Sequence, residues 1–378
     1  MQKIAIIQRK IPHYRTAFFA KLNVQAKEAG LDITVYTGLA PEGGASCGFR
    51  FKVLSEKLLT GQENGPYWLE GLTRASRGSD IIIAPQELQC LNIPYLWVRR
   101  KTLCRHWIWW GHGYNFKAKA GRNWLASLKD AMKHFMTKRG DGLITYTASG
   151  KEYWRRRGMA ADWVMPYFNT LDVEGLREAG AQVTEETLVQ VRRQLGLEGK
   201  RVLLFSGSLY PEKEVDFLLK TFALLQSSHP NVALLILGDG SERNRLEELR
   251  DALNLQHVHF LGEDNDPVHT GVYFKLADLF VLPGAVGLAI VHGFAYGLPL
   301  VTTEQGFHGP EIEYLSNENG IKTAHDTQTY ANEISIILRF PNRIAALQAG
   351  ARHQGDQLTL AGSAQRFVKA VQLFLEQV

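Results

Sequence analysis

A chain of 378 residues, 45% apolar and 21% charged, is globular in composition and long enough for two cores. It has no run near the roughly 18 apolar residues that cross a bilayer and no signal peptide in MQKIAIIQRK, and Cys47, Cys90 and Cys104 lack metal spacing and cannot all pair, so the expected setting is cytoplasmic. The net charge of +5 is unevenly spread, with Lys and Arg exceeding Asp and Glu by 12 over residues 1–180 and falling short by 7 beyond, and no nucleic-acid motif accompanies the basic half.

Along the first half, KIAIIQ, LDITVYT, DIIIAP, HWIWWG and GLITYT read as buried strands alternating with helical patterns, which implies a parallel sheet wound by helices. HWIWWG runs into Gly111, His112 and Gly113, placing a histidine between glycines at a strand's carboxyl end, where open α/β sheets bind ligands. After it, residues 117–139 combine a helical stripe of Trp124, Leu125, Leu128, Met132 and Phe135 with Lys117, Lys119, Arg122, Lys129, Lys133, Lys138 and Arg139. Such a helix lies on an anionic membrane surface or turns its stripe to the core. All eight tryptophans fall in this half, which suggests a basic, Trp-rich surface suited to anionic lipid headgroups, to nucleic acid or to plain solvation.

A polar amphipathic helix in LREAGAQVTEETLVQVRRQLGLEGKR sets the boundary, giving domains over 1–185 and 186–360. RVLLFSG, VALLILGDG, VHFLGE, LFVLPG and PLVTTE are the strands of the second half. The first ends at Gly207, and its loop delivers Lys213 to a helix whose Val215, Leu218, Leu219, Phe222 and Leu225 share a face; a lysine there suits a phosphate. Gly238, Asp239 and Gly240 make half a dinucleotide fingerprint or an ordinary capped turn. In PGAVGLAIVHGFAYGLPLV, Gly287 and Leu288 open a short helix and offer backbone amides to an anion, and His292 shares the face of Leu288. A final helix over 361–378, with Phe367, Val371, Phe374 and Leu375 on one face, can pack on either domain, the N-terminal one preferred.

Six segments, FSGSLYPEKEVDFLLKTF, ALLILGDGSERNRLEEL, VHFLGE, YFKLADLFVLPG, VGLAIVHGFAYGLPLV and GPEIEYL with ENGI, follow one another in an order that resembles retaining glycosyltransferases of the GT-B fold, family four. RKIPHYRTAFFAKL, WWGHG and MPYFNTLD resemble the acceptor half of polysaccharide-assembly members. The resemblance implies an α/β protein of two Rossmann-like doubly wound domains facing a cleft. It implies a nucleotide-sugar donor on the second domain (UDP-sugar first, GDP- or dTDP-sugar open), with no metal and no cofactor. It gives Lys213 and the amides of Gly287 and Leu288 to the donor diphosphate, with Gly207, Ser208, Gly238 and Val286 around them and Gly262 and Glu263 beside the base. His112 would hold the donor sugar, and Arg9, His13, Tyr14 and Arg15 a lipid-linked saccharide acceptor. The family's arginine is Ser208 here, and its paired glutamates are Gly284 and His292, of which His292 is expected to face the ribose. The expected function is retaining hexosyl or deoxyhexosyl transfer in surface polysaccharide (O-antigen, capsule or exopolysaccharide) biosynthesis, peripheral on the inner face of the cytoplasmic membrane. The alternatives are a non-catalytic sugar-nucleotide-binding or scaffold subunit and a nucleotide-sugar epimerase.

Overall fold

The apolar runs form two wholly parallel sheets. In a computed structural model that describes residues 1–41, 43–62, 65–112, 124–305 and 307–376, the side chains of Leu125 and Ala126 excepted, the chain divides into two units. Met1–Leu171 with Leu360–Val378 form one unit, and Asp172–Thr359 the other.

The first unit contains β1 (Gln2–Ile7), β2 (Leu31–Thr37), β3 (Phe51–Val53), a β4–β5 hairpin (Glu56–Leu58, Tyr67–Leu69), β6 (Ser79–Pro85), β7 (Cys104–Gly111), β8 (Gly142–Thr145) and β9 (Val164–Pro166). Its sheet runs β3-β2-β1-β6-β7-β8-β9, with Gln2 beside Leu31 and Ile4 beside Ile81. Both faces are covered, so strand alternation sorts residues between two cores rather than between core and water. Along β7, Ile108 and Trp110 enter one core, and Trp107 and Trp109 the other. Trp154 is buried as well. Half of the tryptophans are thus interior packing, which corrects the expectation of a Trp-rich surface.

The C-terminal helix Leu360–Glu376 belongs to this unit. Its Phe367 ring lies 5.9 Å from Phe18 and 5.1 Å from Trp110, and Val371 and Phe374 are buried beside it.

The second unit contains β10 (Arg201–Ser206), β11 (Val232–Leu237), β12 (Val258–Gly262), β13 (Leu279–Val281), β14 (Leu300–Thr303) and β15 (Gly320–Thr323), in the order β12-β11-β10-β13-β14-β15. Every residue of β11 is buried, and the helix Val215–Ser228 buries Val215, Leu218, Leu219, Phe222 and Leu225. The strand order reverses between β10 and β13, so the loops leaving these two strands diverge and leave a crevice at the carboxyl edge.

The boundary differs from the expected residue 185. The polar stretch is two helices, Val173–Ala181 and Glu185–Gln194, capped by the Asp172 carboxylate on the Gly175 N–H and by the Thr184 hydroxyl on the Thr187 N–H. The first packs within the second unit, where Tyr296 donates to the Leu176 carbonyl and Gly180 leaves room for its ring, so that unit starts at Asp172.

Candidate functional site

At the carboxyl edge of the second sheet, the loops after β10 and β13 grip each other. Gly207 donates its N–H to the Leu237 carbonyl, and the chain then turns through Pro211–Lys213 and the left-handed Glu214 into the helix Val215–Ser228. The Lys213 ammonium donates to the Ala285 carbonyl at 2.7 Å, and the Ala285 N–H donates to the Glu212 carbonyl at 2.8 Å. Burial lowers the Lys213 pKa from its ordinary value, with Glu212 acting against it. The reciprocal bonds hold the cation at the switch point of the sheet.

Gly284 lies beneath this lock. A Cβ there would stand 2.4 Å from the Glu212 carbonyl oxygen and 2.6 Å from the Lys213 carbonyl carbon, so no side chain fits. The position that the resemblance gives to a sugar-binding carboxylate is filled by backbone. Val286 is also buried: its N–H is accepted by His308 Nδ1 at 3.2 Å, and its carbonyl accepts from the Gly309 N–H. Gly287, by contrast, faces open space. Among the described residues no protein acceptor takes the N–H of Gly287 or Leu288, so two donors remain beside Lys213 at the start of the helix Ala289–Ala295.

His308 is a residue that sequence reasoning missed. It is buried, and because Nδ1 accepts from Val286, Nε2 carries the proton and donates to the Thr303 carbonyl at 2.7 Å. Burial first, and then the charges of Lys322 and Lys213, lower its pKa against the opposing Thr303 bond, so the clamp belongs to the neutral ring. The only hint in the sequence is its place after a strand, in FHGPEIEYL.

His292 is held by stacking. Its ring lies 4.0 Å from that of Phe274, nearly parallel, and Tyr296 lies 5.1 Å from Phe274 and 5.8 Å from His292. Nε2 is sealed without a partner, and burial pushes the imidazolium down to about 4.

Elsewhere on this edge, Gly238 is a packing glycine, since a Cβ would stand 2.1 Å from the Gly207 oxygen. Asp239 accepts from the Gly240 N–H and from Arg243, which is the local turn chemistry. Gly262 adopts φ 81° and accepts from the Gly238 N–H, while Glu263 and Ser208 are exposed.

The span 190–354 contains this whole arrangement, and over it the sequence matches glycosyl transferases group 1. The chain carries a glycosyl transferases group 1 domain. An uncharacterized glycosyltransferase of Haemophilus influenzae is 25% identical over 228 residues, 58% of this chain and 57% of that protein, so the chain spans little more than half of the relative's length. Anabaena HepE, solved in complex with UDP, superposes with a TM-score of 0.75 at 16% identity, covering 98% of this chain and all of the other. WaaG, a glycosyltransferase involved in lipopolysaccharide biosynthesis, gives 0.65 at 17% identity, covering 97% and 98%. The fold is GT-B.

Outside the group 1 domain, the first unit presents its own carboxyl edge. Arg9 is committed: it forms a two-pronged pair with Glu56, at 2.7 Å from Nη2 and 3.0 Å from Nε, and lies over the Tyr67 ring. The pair engages the guanidinium that the resemblance gives to the acceptor. His13 is exposed and meets Tyr14 edge-on. Arg15 is 8% exposed; it donates to the Tyr146 phenol at 3.0 Å and the Gln8 amide oxygen at 3.4 Å, and its guanidinium lies 5.1 Å over Trp110. His112 packs 4.3 Å from the Tyr146 ring. Although part of its surface is exposed, desolvation on the protein side, then the charges of Arg15 and Lys133, push it down to about 4. Tyr146 is the second missed residue. Like His112, it follows directly after a strand.

The helix Trp124–Thr137 is anchored through Met136 and Thr137, while Trp124, Leu128, Met132 and Phe135 are 43–73% exposed. The stripe therefore faces away from the core. Gly113, Lys117, Lys119 and Arg122 lie outside the described residues. No helix among the described residues is long and apolar enough to cross a membrane.

Proposed function

We propose that the protein is a retaining glycosyltransferase that moves a hexosyl or deoxyhexosyl group from a nucleotide sugar, a UDP-sugar first, to a lipid-linked saccharide during surface polysaccharide assembly. The observation that carries this reading is the Lys213–Ala285 lock beside the open amides of Gly287 and Leu288, inside a group 1 domain. Charge grows on the diphosphate as the bond to the sugar breaks, and preset donors that need no reorganisation stabilise it at that moment. On this reading the acceptor hydroxyl forms the new bond on the same face of the sugar, and its proton passes to the leaving diphosphate oxygen, so no protein nucleophile is required. The UDP held by HepE and the lipopolysaccharide role of WaaG support the donor and acceptor classes. The outward stripe of Trp124, Leu128, Met132 and Phe135, flanked by Lys129, Lys138 and Arg139, supports docking on the anionic inner face of the cytoplasmic membrane.

Release of nucleoside diphosphate from a panel of UDP-, GDP- and dTDP-sugars tests the reading. One donor should turn over, in the presence of excess EDTA as well, and Lys213→Ala should cost about one to two orders of magnitude, the worth of a hydrogen bond to a charged group. Turnover indifferent to Lys213 would overturn the assignment. Two observations favour the non-catalytic alternative: Gly284 is sealed and exposed Ser208 brings no charge. Nucleotide-sugar binding without turnover of any donor would establish that reading instead.

A further inference from the structure

Arg15 is a buried cation with no counter-ion. Among the described residues no carboxylate lies within ion-pair reach of it, and its partners are a phenol, an amide oxygen and the faces of Trp110 and Tyr146. Burying a charge without an opposite one is costly, and such a group persists where a ligand supplies the missing charge. Two further features lie on the same edge. The helix His13–Glu28, which carries Arg15 in its first turn, has no side-chain cap and no acidic residue there, so its end stays positive. Lys133, half-buried, makes no ion pair among the described residues, and its charge and that of Arg15 both act on His112.

We propose that Arg15, with Lys133 and the first turn of the helix His13–Glu28, forms an anion site on the first unit, and that its ligand is the phosphate or diphosphate ester of the acceptor. The inference rests on the transferase reading for the word acceptor, whereas the site itself does not. With Arg9 tied to Glu56, Arg15 is the buried cation of this edge that has no carboxylate partner among the described residues. A diphosphate seated on it would fix the lipid-linked end of the acceptor and leave the sugar end to reach beyond.

Inorganic pyrophosphate is the probe, titrated calorimetrically and followed by thermal unfolding on the full chain, with Arg15→Met, Arg15→Lys and Lys213→Ala beside the wild type. Two classes of site are expected. Arg15→Met should lose one of them, with at least a tenfold drop in affinity, while melting no lower than the wild type, because an apolar side chain replaces an uncompensated charge. Lys213→Ala should lose only the other. Arg15→Lys keeps the charge without the planar fork, and should bind more weakly than wild type yet more tightly than Arg15→Met.

Three results would overturn the proposal. Arg15→Met could melt far below the wild type while both pyrophosphate sites survive in Arg15→Lys and Arg15→Met alike, which makes Arg15 a structural strut. All pyrophosphate binding could vanish in Lys213→Ala. Phosphatidylglycerol vesicles could displace pyrophosphate from the Arg15-dependent site, which gives it to a bilayer headgroup rather than an acceptor. Because the titration needs no turnover, inactivity of the wild type toward every sugar donor would count against the transferase reading alone.

Discussion

Lys213 and Arg15 occupy equivalent stations, each just beyond the strand where its sheet's order reverses, yet they are fastened differently. Lys213 is held by main chain, the Ala285 carbonyl, in a corner where Gly207, Gly238 and Gly284 let backbones touch. Arg15 is held by side chains, the Tyr146 phenol, the Gln8 amide and the Trp110 face. A corner made of backbone tolerates no added atom. A cage made of side chains can exchange one partner for another, so the two edges should respond to substitution in opposite ways.

The sharpest break in that comparison is Gly284→Glu, which restores the carboxylate expected from the family pattern. Its Cβ would meet the Glu212 and Lys213 backbone, and overpacking against atoms that cannot rotate away should cost about 3 kcal/mol or more. Urea unfolding should show the loss, and a variant of wild-type stability with improved donor affinity would mean the corner is open.

Next in size is a pH effect at His292, the histidine of this domain whose imidazolium is pushed furthest down. The His292 imidazolium is pushed down to about 4 by burial, against an unfolded value near 6.5. The depressed folded value means that the contribution to stability is present above pH 6.5 and is lost as pH falls toward 4, because the unfolded chain takes the proton first. The loss is on the order of 3 kcal/mol. His292→Leu should flatten this part of the stability profile measured between pH 7 and 4; an unchanged slope would assign it to other groups. The variant also tests the expected ribose contact, since donor affinity should fall if the ring reaches the ligand and stay constant if stacking on Phe274 is its whole role.

His308 gives a smaller effect. His308→Leu leaves the Val286 N–H buried without its acceptor, a loss of about 1 to 3 kcal/mol by chemical denaturation. Because Val286 precedes the open amides of Gly287 and Leu288, donor affinity should drop further than stability alone explains, and equal behaviour of wild type and variant would remove His308 from the site.

Most of the architecture was legible because both sheets are covered on both faces: runs such as VALLIL and HWIWWG can hardly be anything but interior strands. The short strands Phe51–Val53, Val164–Pro166 and Gly320–Thr323 carry too few apolar residues to stand out, and they lie at the sheet margins. The boundary was misread because a polar helical pattern does not reveal that Asp172 and Thr184 each cap a separate helix. At the site, Lys213, Gly287 and Leu288 could be read from local order. His308 and Tyr146 could not, since their partners lie 22 and 131 residues away in sequence. Arg9 shows the same limit: its pairing with Glu56, 47 residues on, cannot be read from the local order of the loop.

The smallest expected change in stability belongs to the helix Trp124–Thr137. Leu128 and Met132 are 58% and 43% exposed, so Leu128→Ser with Met132→Ser removes little buried area and should leave stability within about 0.5 kcal/mol of wild type. Binding to phosphatidylglycerol vesicles should nevertheless fall severalfold in sedimentation, because the stripe contributes apolar contact that the flanking Lys129, Lys138 and Arg139 cannot replace. Raising the salt concentration should weaken what remains, since screening acts on the charges and not on the apolar term. Vesicle binding unaffected by the double variant would leave the charges alone to hold the protein at the membrane. A variant that melts well below the wild type would mean that the stripe packs inward, contrary to its exposure.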